Sequence, residues 1–332
     1  MKAVVYHRYG PPDLLGLEEV DKPTPKDNEI LLKVHAVSVN DWDWGLLHGT
    51  PFANRLMSGL LKPKKKILGS DVAGRVEAVG KGVSRFRPGD EVFGDLSGRW
   101  GGFAEYVCAG EDSLALKPPG MTFEEAAAIP QAGMLAVQGL RDSGRIQAGQ
   151  KLLINGAGGG VGTFAIQIAR LYGCETTGVD SSAKLDMLRL LGFDHVIDYA
   201  TEDFTKAGRQ YDLILDVKTT RSVFDCARAL NPGGIYVTCG GASRYIMQAL
   251  LLAPWIKLTS KKKVRVVFLK PNKDLAYMAE LFEAGKLKPV VDGPYNLSQV
   301  PEAMRHFGEG RHKGKVVISI EDTEAASHGG SW

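Results

Sequence analysis

The chain has 332 residues, 44% of them hydrophobic and 24% charged, and its 41 Lys and Arg nearly cancel 38 Asp and Glu to leave a net charge of +3. At about 150 residues per domain this length predicts two domains with apolar content enough for a core in each, which excludes a disordered chain. So small a surplus gives no reason to expect a specific nucleic-acid partner, and four cysteines without a CxxC pair, Cys108, Cys174, Cys226 and Cys239, imply neither a zinc knuckle nor a disulfide framework. A reducing, cytoplasmic compartment is the expectation. The start, MKAVVYHRYGPP, has no apolar leader region, and no membrane span is expected, since no run of about 18 apolar residues occurs.

From Met1 to about residue 125 the pattern is short β-segments between turns. Ile30, Leu32, Val34 and Ala36 alternate with Leu31, Lys33 and His35, which predicts a strand with one buried face. Asp71–Val79 is a second, and the turn Arg87-Pro88-Gly89-Asp90 leads into a third at Glu91–Gly94. These segments predict an antiparallel, barrel-like domain over 1–125. Within it, residues 52–61 form an apolar insertion followed by Lys62-Pro63-Lys64-Lys65-Lys66, with a solvated surface as the plain reading of the lysines.

Glu124-Glu125-Ala126-Ala127-Ala128 reads as a helix start, after which strands of four to six residues alternate with helices. The expected strands are Leu152–Ile154, Glu175–Val179, His195–Asp198, Leu213–Val217, Ile235–Cys239 and Val264–Phe268, and such alternation over 126–285 predicts a doubly wound parallel sheet. Gly173, Gly192 and Asn231-Pro232-Gly233-Gly234 mark helix stops. The segment Ile246–Leu258, IMQALLLAPWIKL, is too short to span a membrane and carries Pro254; it reads as a buried or interface helix. Residues 286–320 return to the first domain through the strand Lys315–Ile320, and 321–332 read as a loose tail.

The strongest chemical signal is the run from Leu152 to Ala169, an apolar strand entering a glycine turn and then a helix of small and aliphatic residues. Its glycines fit GxxGxxG, at Gly156, Gly159 and Gly162, with Gly160 and Val161 opening the helix, where a pyrophosphate meets free N–H groups. A second strand ends in Asp180, whose carboxylate is placed to accept ribose hydroxyls; it also fits the N-cap of the following helix. Ser181, Ser182 and Lys184 follow as donors for a phosphate.

With these residues the chain resembles the medium-chain dehydrogenase/reductase superfamily, in its zinc-independent quinone oxidoreductase (zeta-crystallin-like) branch. The resemblance rests on Lys2–Tyr6 with Gly10-Pro11-Pro12, Val37-Ser38-Val39-Asn40 with Asp43, Gly69–Gly74, Pro88–Gly94, Gly102–Tyr106, the glycine turn, Val196–Tyr199 and Gly314–Ile318. It implies an α/β protein, a GroES-like β-barrel catalytic domain joined to a Rossmann NAD(P)-binding domain, with the active site in a cleft between them. It further implies that Lys184 and Tyr199 hold the adenosine phosphate of NADPH, that Gln131–Met134 lies beside the nicotinamide, and that Gly240 and Phe268 close over the ring. Taken with Asp180, this predicts a slight preference for NADPH with NADH also usable. A homodimer formed by edge pairing of Val264–Phe268 is the assembly implied.

Zinc enzymes of that superfamily hold catalytic zinc through a Cys and a Gly-His-Glu histidine. Here Asn40 and Ser70-Asp71 stand at those places, so no zinc is expected, and the substrate must already be electrophilic: a quinone or an enone. Asn40 is the side chain expected to act in catalysis, by donating its amide N–H to a substrate carbonyl or the nicotinamide ribose. Asp43 and Asp71 read as backbone-bonding acids and His48 as an exposed histidine, while Trp42 and Trp44 either line a flat pocket or alternate between core and surface. Two other functions share these features: reduction of a 2-enoyl thioester, and nucleotide binding in a regulatory or single-strand nucleic-acid-binding protein.

Overall fold

The computed structural model describes residues 1–320, so the tail expected at 321–332 lies outside the described residues. The chain divides into two units, Met1–Gln131 together with the chain from Val291, and Ala132–Val290. In chain order the first stretch forms β1 (Lys2–Val5), β2 (Gly16–Glu19), β3 (Glu29–Ser38), α1 (Asp41–His48), α2 (Phe52–Ser58), β4 (Asp71–Val79), β5 (Glu91–Asp95), β6 (Tyr106–Gly110), β7 (Ala115–Leu116), α3 (Phe123–Ala128) and α4 (Pro130–Val137). The middle forms β8 (Lys151–Asn155), α5 (Gly160–Leu171), β9 (Glu175–Asp180), α6 (Leu185–Leu191), β10 (His195–Asp198), β11 (Tyr211–Asp216), α7 (Val223–Arg228), β12 (Leu230–Thr238), α8 (Ser243–Ser260), β13 (Lys263–Val266) and α9 (Leu275–Glu283). The return forms β14 (Val291–Asn296), α10 (Val300–Gly308) and β15 (Lys315–Ser319).

The first unit is the GroES-like one. Its main sheet runs β14-β15-β3-β4-β5-β7, with β6 also on β3. β3 is antiparallel to β4, β6 and β15. That central place explains why the alternation in β3 is incomplete: Leu31, expected on the open face, is 6% exposed, and only Lys33 and His35 reach the intermediate class. His35 is covered by Phe123 of α3, ring stacked on ring at 4.4 Å. The helix start expected at Glu124-Glu125 is a capping box with Thr122 as its N-cap, in which Glu125 N donates to Thr122 Oγ1 (3.1 Å) and Thr122 N to Glu125 Oε2 (3.0 Å). Tyr6, Leu32, Leu47, Leu68 and Phe103 are buried together with Val316 and Ile318 of the returning β15. At roughly 1.5–3 kcal/mol for each large apolar side chain removed from water, this core fixes β15 against β3.

The second unit is the Rossmann sheet, parallel throughout, in the order β10-β9-β8-β11-β12-β13. The order runs outward in both directions from β8 and β11, so the ends of those strands border the switch point where doubly wound sheets bind nucleotides. α5 presents Phe164, Ala165 and Ile168, all buried. At the ends of β8 and β11, Asn155 Nδ2 donates to Asp216 Oδ1 (2.8 Å) and Tyr236 Oη to Asp216 Oδ2 (2.7 Å).

One apolar element is covered on one face only. The helix at 246–258 exists, as part of α8, but it is not buried: Ala249 and Ile256 are covered while Leu251 and Leu258 are 72% and 84% exposed. Its apolar composition satisfies one face on the sheet and leaves a second apolar face in solvent. No helix among the described residues is long and apolar enough to cross a membrane.

Candidate nucleotide and substrate residues

In the second unit the glycine turn follows β8 directly. Gly156 takes φ +82°, a backbone region that L side chains avoid, and its N–H and that of Ala157 both donate to Val179 O (3.0 and 3.1 Å). Gly159 is the N-cap of α5 in extended backbone, and Thr163 N closes the first turn on Gly159 O at 3.0 Å. The N–H groups of Gly160, Val161 and Gly162 precede that bond and have no intrahelical acceptor, which is the donor set an anion meets at a helix N-terminus. Gly162 is needed for packing: a Cβ there would stand 2.4 Å from Ala157 O.

Asp180 sits at the end of β9, 7% exposed, with both carboxylate oxygens in use. Oδ2 accepts from Gly158 N (2.8 Å) and Oδ1 from Ser181 N (2.9 Å). Lys184 folds back over the turn: its Nζ is 3.5 Å from Asp180 Oδ1, and its stem fills the space a Cβ on Gly158 would need. The two candidates for the adenosine end are thus paired with each other, with Lys184 only 5% exposed. Tyr199, half exposed, follows β10, and its N–H donates to Asp180 O (3.1 Å). Gly240 lies just after β12 and Phe268, 72% exposed, just after β13, so these two, Tyr199, Asp180 and the glycine turn all stand at the carboxyl edge of the parallel sheet, whereas Ala132–Met134 lie in α4, ahead of its first strand. Anion-ready N–H groups, a turn without side chains and a carboxylate beside it fit a dinucleotide.

In the first unit Asn40 lies between β3 and α1, 4% exposed, in a buried polar cluster. Asp43 accepts from Asn40 N (2.9 Å) and Gly69 N (2.8 Å), binding the start of α1 to the loop before β4. Asp71 accepts from Gln131 N (3.1 Å). Both acids are backbone acceptors, as expected. The residue that sequence reasoning missed is Lys315 of β15. Its ammonium donates to Val39 O (2.9 Å) and to Asn40 Oδ1, and stands 3.5 Å from Asp71 Oδ2. With the Asn40 oxygen held there, Asn40 Nδ2 faces Ser70 Oγ, to which it donates at 3.2 Å. Asp43, Asp71 and Asp95 are at most 1% exposed. Burial pushes the Asp43 carboxyl up to about 7 against the pull of the Gly69 and Asn40 N–H groups. Asp71 is likewise pushed up to about 7 by burial, which the Lys315 ammonium opposes, and Asp95 is raised by burial too. Trp42 is 43% exposed and Trp44 packs on the core, so the pair alternates between surface and interior. The His48 imidazole is partly buried, hydrogen-bonded to Trp44 O (2.9 Å) and set against the Trp44 ring.

Comparison with known proteins shows the family. Residues 26–119 match the model of the alcohol dehydrogenase GroES-like domain and residues 191–318 that of a zinc-binding dehydrogenase domain. The chain is 33% identical to "Quinone-oxidoreductase QR1, chloroplastic" of Triphysaria versicolor over 338 residues, covering 96% of this chain and 98% of that protein. It is 32% identical to "NADPH-dependent alkenal/one oxidoreductase, chloroplastic" of Arabidopsis thaliana, over 96% of this chain and 79% of the relative. The chain belongs to the medium-chain dehydrogenase/reductase superfamily, in its quinone oxidoreductase branch. Among solved structures the quinone oxidoreductase of Coxiella burnetii superposes with a TM-score of 0.84 at 28% identity, covering 97% of this chain and 99% of that one.

Membership in this superfamily brings zinc into question, and the donor set does not fit it. Asn40 and Ser70 lie outside the zinc-binding match, and the Asn40 oxygen, the amide's only acceptor, is taken by an ammonium that would repel a metal cation. No group of three His, Cys, Asp or Glu that could hold a metal gathers among the described residues.

Two outcomes follow for this branch member. Gly162→Ala forces backbone against backbone at the turn, and it is expected to abolish measurable nucleotide binding in calorimetry; wild-type affinity would show that the turn relaxes freely. Lys315→Met leaves Asp71 buried without its counter-charge, at an expected cost of about 3 kcal/mol or more at pH 8. Because the folded pKa of Asp71 lies above its unfolded value, protonation favours the folded state, so stability rises as pH falls through the folded pKa. The deficit of the variant against wild type in urea unfolding therefore shrinks at pH 5.5, whereas an equal deficit at both pH values would show that the charge is not the cause.

Proposed function

We propose that this reductase passes hydride from NADPH, and also from NADH, to a quinone or a related conjugated carbonyl. One observation carries the reading: the dinucleotide-type turn of the second unit accompanies, in the first, an Asn40–Ser70 pair bound to a lysine where metal-dependent relatives hold zinc. A bound nicotinamide supplies the hydride, and negative charge then develops on a substrate oxygen. Asn40 has one N–H committed to Ser70 Oγ, and the reading assigns the other to that oxygen, with Lys315 fixing which way the amide points. A quinone gains an aromatic ring on reduction and so tolerates a single neutral donor; an unactivated ketone or alcohol needs the stronger polarisation of a metal.

Asp180 is neutralised in part by Lys184 and by two N–H groups, which supports use of both cofactors, because an unpaired acid there would repel a 2′-phosphate. Four free cysteines support a reducing, cytoplasmic setting, and β13, an edge strand, supports a homodimer by strand pairing. The observations favour neither a nucleic-acid partner nor a purely regulatory role.

Lys184→Ala is expected to raise the KM for NADPH about tenfold, one charge-assisted contact, and to change that for NADH much less. An unchanged ratio of the two would remove Lys184 from phosphate recognition. Asn40→Ala is expected to lower kcat with a quinone on the order of 100-fold with little change in cofactor affinity. The wild type should turn over ortho- or para-quinones and enones, leave ethanol untouched and keep its activity after chelation. Efficient ethanol oxidation or stoichiometric zinc overturns the reading, and faster turnover of a crotonyl thioester than of any quinone moves it to enoyl reduction.

A further inference from the structure

The outward face of α8 has the wrong chemistry for a helix that ends in water. Met247, Leu251, Trp255 and Leu258 recur at i, i+4, i+8 and i+11, one line along the helix, and are 53%, 72%, 54% and 84% exposed. At about 100° per residue that line lies opposite Ala249 and Ile256, which anchor α8 to its sheet. Phe224 of α7 extends the patch, meeting the Trp255 ring edge-on with centroids 5.7 Å apart. Charge marks the same place. Between Asp225 and Asp274 the sequence has no Asp or Glu and nine Lys or Arg, in a chain whose net charge is only +3. Lys257, Lys261, Lys262 and Lys263 gather at the carboxyl end of α8, where cations also complement the helix dipole.

We propose that α8 docks in the plane of an anionic phospholipid surface, with Met247, Leu251, Trp255 and Leu258 entering the acyl boundary and Lys257, Lys261 and Lys263 lying over the headgroup phosphates. An in-plane helix of this kind needs an apolar stripe, an aromatic ring at the interface and flanking cations, and it does not need the length of a span. The 18 residues of α8, interrupted by Pro254, suit the surface and not the interior of a bilayer. A second copy of the chain is the wrong occupant. A two-fold contact across the middle of the stripe would lay α8 antiparallel on its image and set Lys261-Lys262-Lys263 against the end carrying Arg244, cation against cation, with no carboxylate in the segment to offset it. Pairing along the edge of β13 uses backbone groups in the plane of the sheet and is a separate surface.

Co-sedimentation of the full chain with phosphatidylcholine vesicles containing about one-third phosphatidylglycerol tests the proposal without reference to catalysis. Wild type is expected to pellet with these vesicles, to bind pure phosphatidylcholine at least tenfold less, and to be released by about 0.5 M salt. Leu251→Glu with Leu258→Glu, and separately Lys257→Glu with Lys261→Glu, change exposed side chains and should each lower partitioning at least tenfold while leaving thermal unfolding where it was. Absence of wild-type binding, or variants that bind as wild type does, overturns the proposal. So does a fall in oligomer mass on light scattering of Leu251→Glu with Leu258→Glu, which would assign the stripe to a second copy.

Discussion

Lys315 puts an ammonium into the interior of the first unit from the last strand of the chain, and the local order of that unit follows from satisfying it. A buried cation needs acceptors and an opposite charge, and the acceptors present are the Val39 carbonyl, the Asn40 amide oxygen and the Asp71 carboxylate. Those three come from the end of β3 and the start of β4, so one contact joins the chain's first strands to its last. Asp43 continues the network to the Gly69 loop and Asp71 to Gln131. One ammonium does not compensate three buried carboxyls, and burial raises Asp43 and Asp71 to about 7, toward the neutral form that needs no counter-charge.

The second unit solves its own charge problem by other means. Asp180 is ringed by the Gly158 and Ser181 N–H groups and by the Lys184 ammonium, all within one loop of chain. This arrangement leaves the first N–H groups of α5 uncommitted, since the donors that hold Asp180 are not those of Gly160, Val161 and Gly162. The acid expected at the ribose position is also the brace that shapes the glycine turn. A substitution at Asp180 would therefore disturb the backbone before it altered recognition, which is why the cofactor reading is probed through Lys184.

Much of this was legible in sequence, for identifiable reasons. The central strands β8, β11 and β12 announce themselves as apolar runs, Leu152–Ile154, Leu213–Leu215 and Ile235–Val237, because a strand covered on both faces has few polar residues to interrupt it, while β9, β10 and β13 are legible by their spacing between helices. The glycine turn is legible because only glycine meets its steric demands. Lys315 was not: a lysine just after Gly314 and before an apolar strand reads as a solvated end, and nothing in one sequence tells that the residue lies inward when buried lysines are so uncommon. The same limit applies to α8. Apolar composition tells that a helix has faces to cover, but which face meets the sheet and whether the other meets an interface depend on packing, so burial and interface stay alternatives in the sequence.

Asn40 connects these points to chemistry. An isolated asparagine amide can flip, exchanging donor and acceptor for little cost, and a flipped amide would offer an oxygen where a developing oxyanion needs a hydrogen. Lys315 has no acceptor capacity, so it accepts only one of the two orientations, and Ser70 on the other side takes the N–H that results. The charge that repels a metal from this place is thus the one that orients the neutral donor. On the proposed function, a place unsuited to a metal and an amide of fixed orientation both follow from a single buried cation, and both suit substrates whose electrons are already drawn toward oxygen.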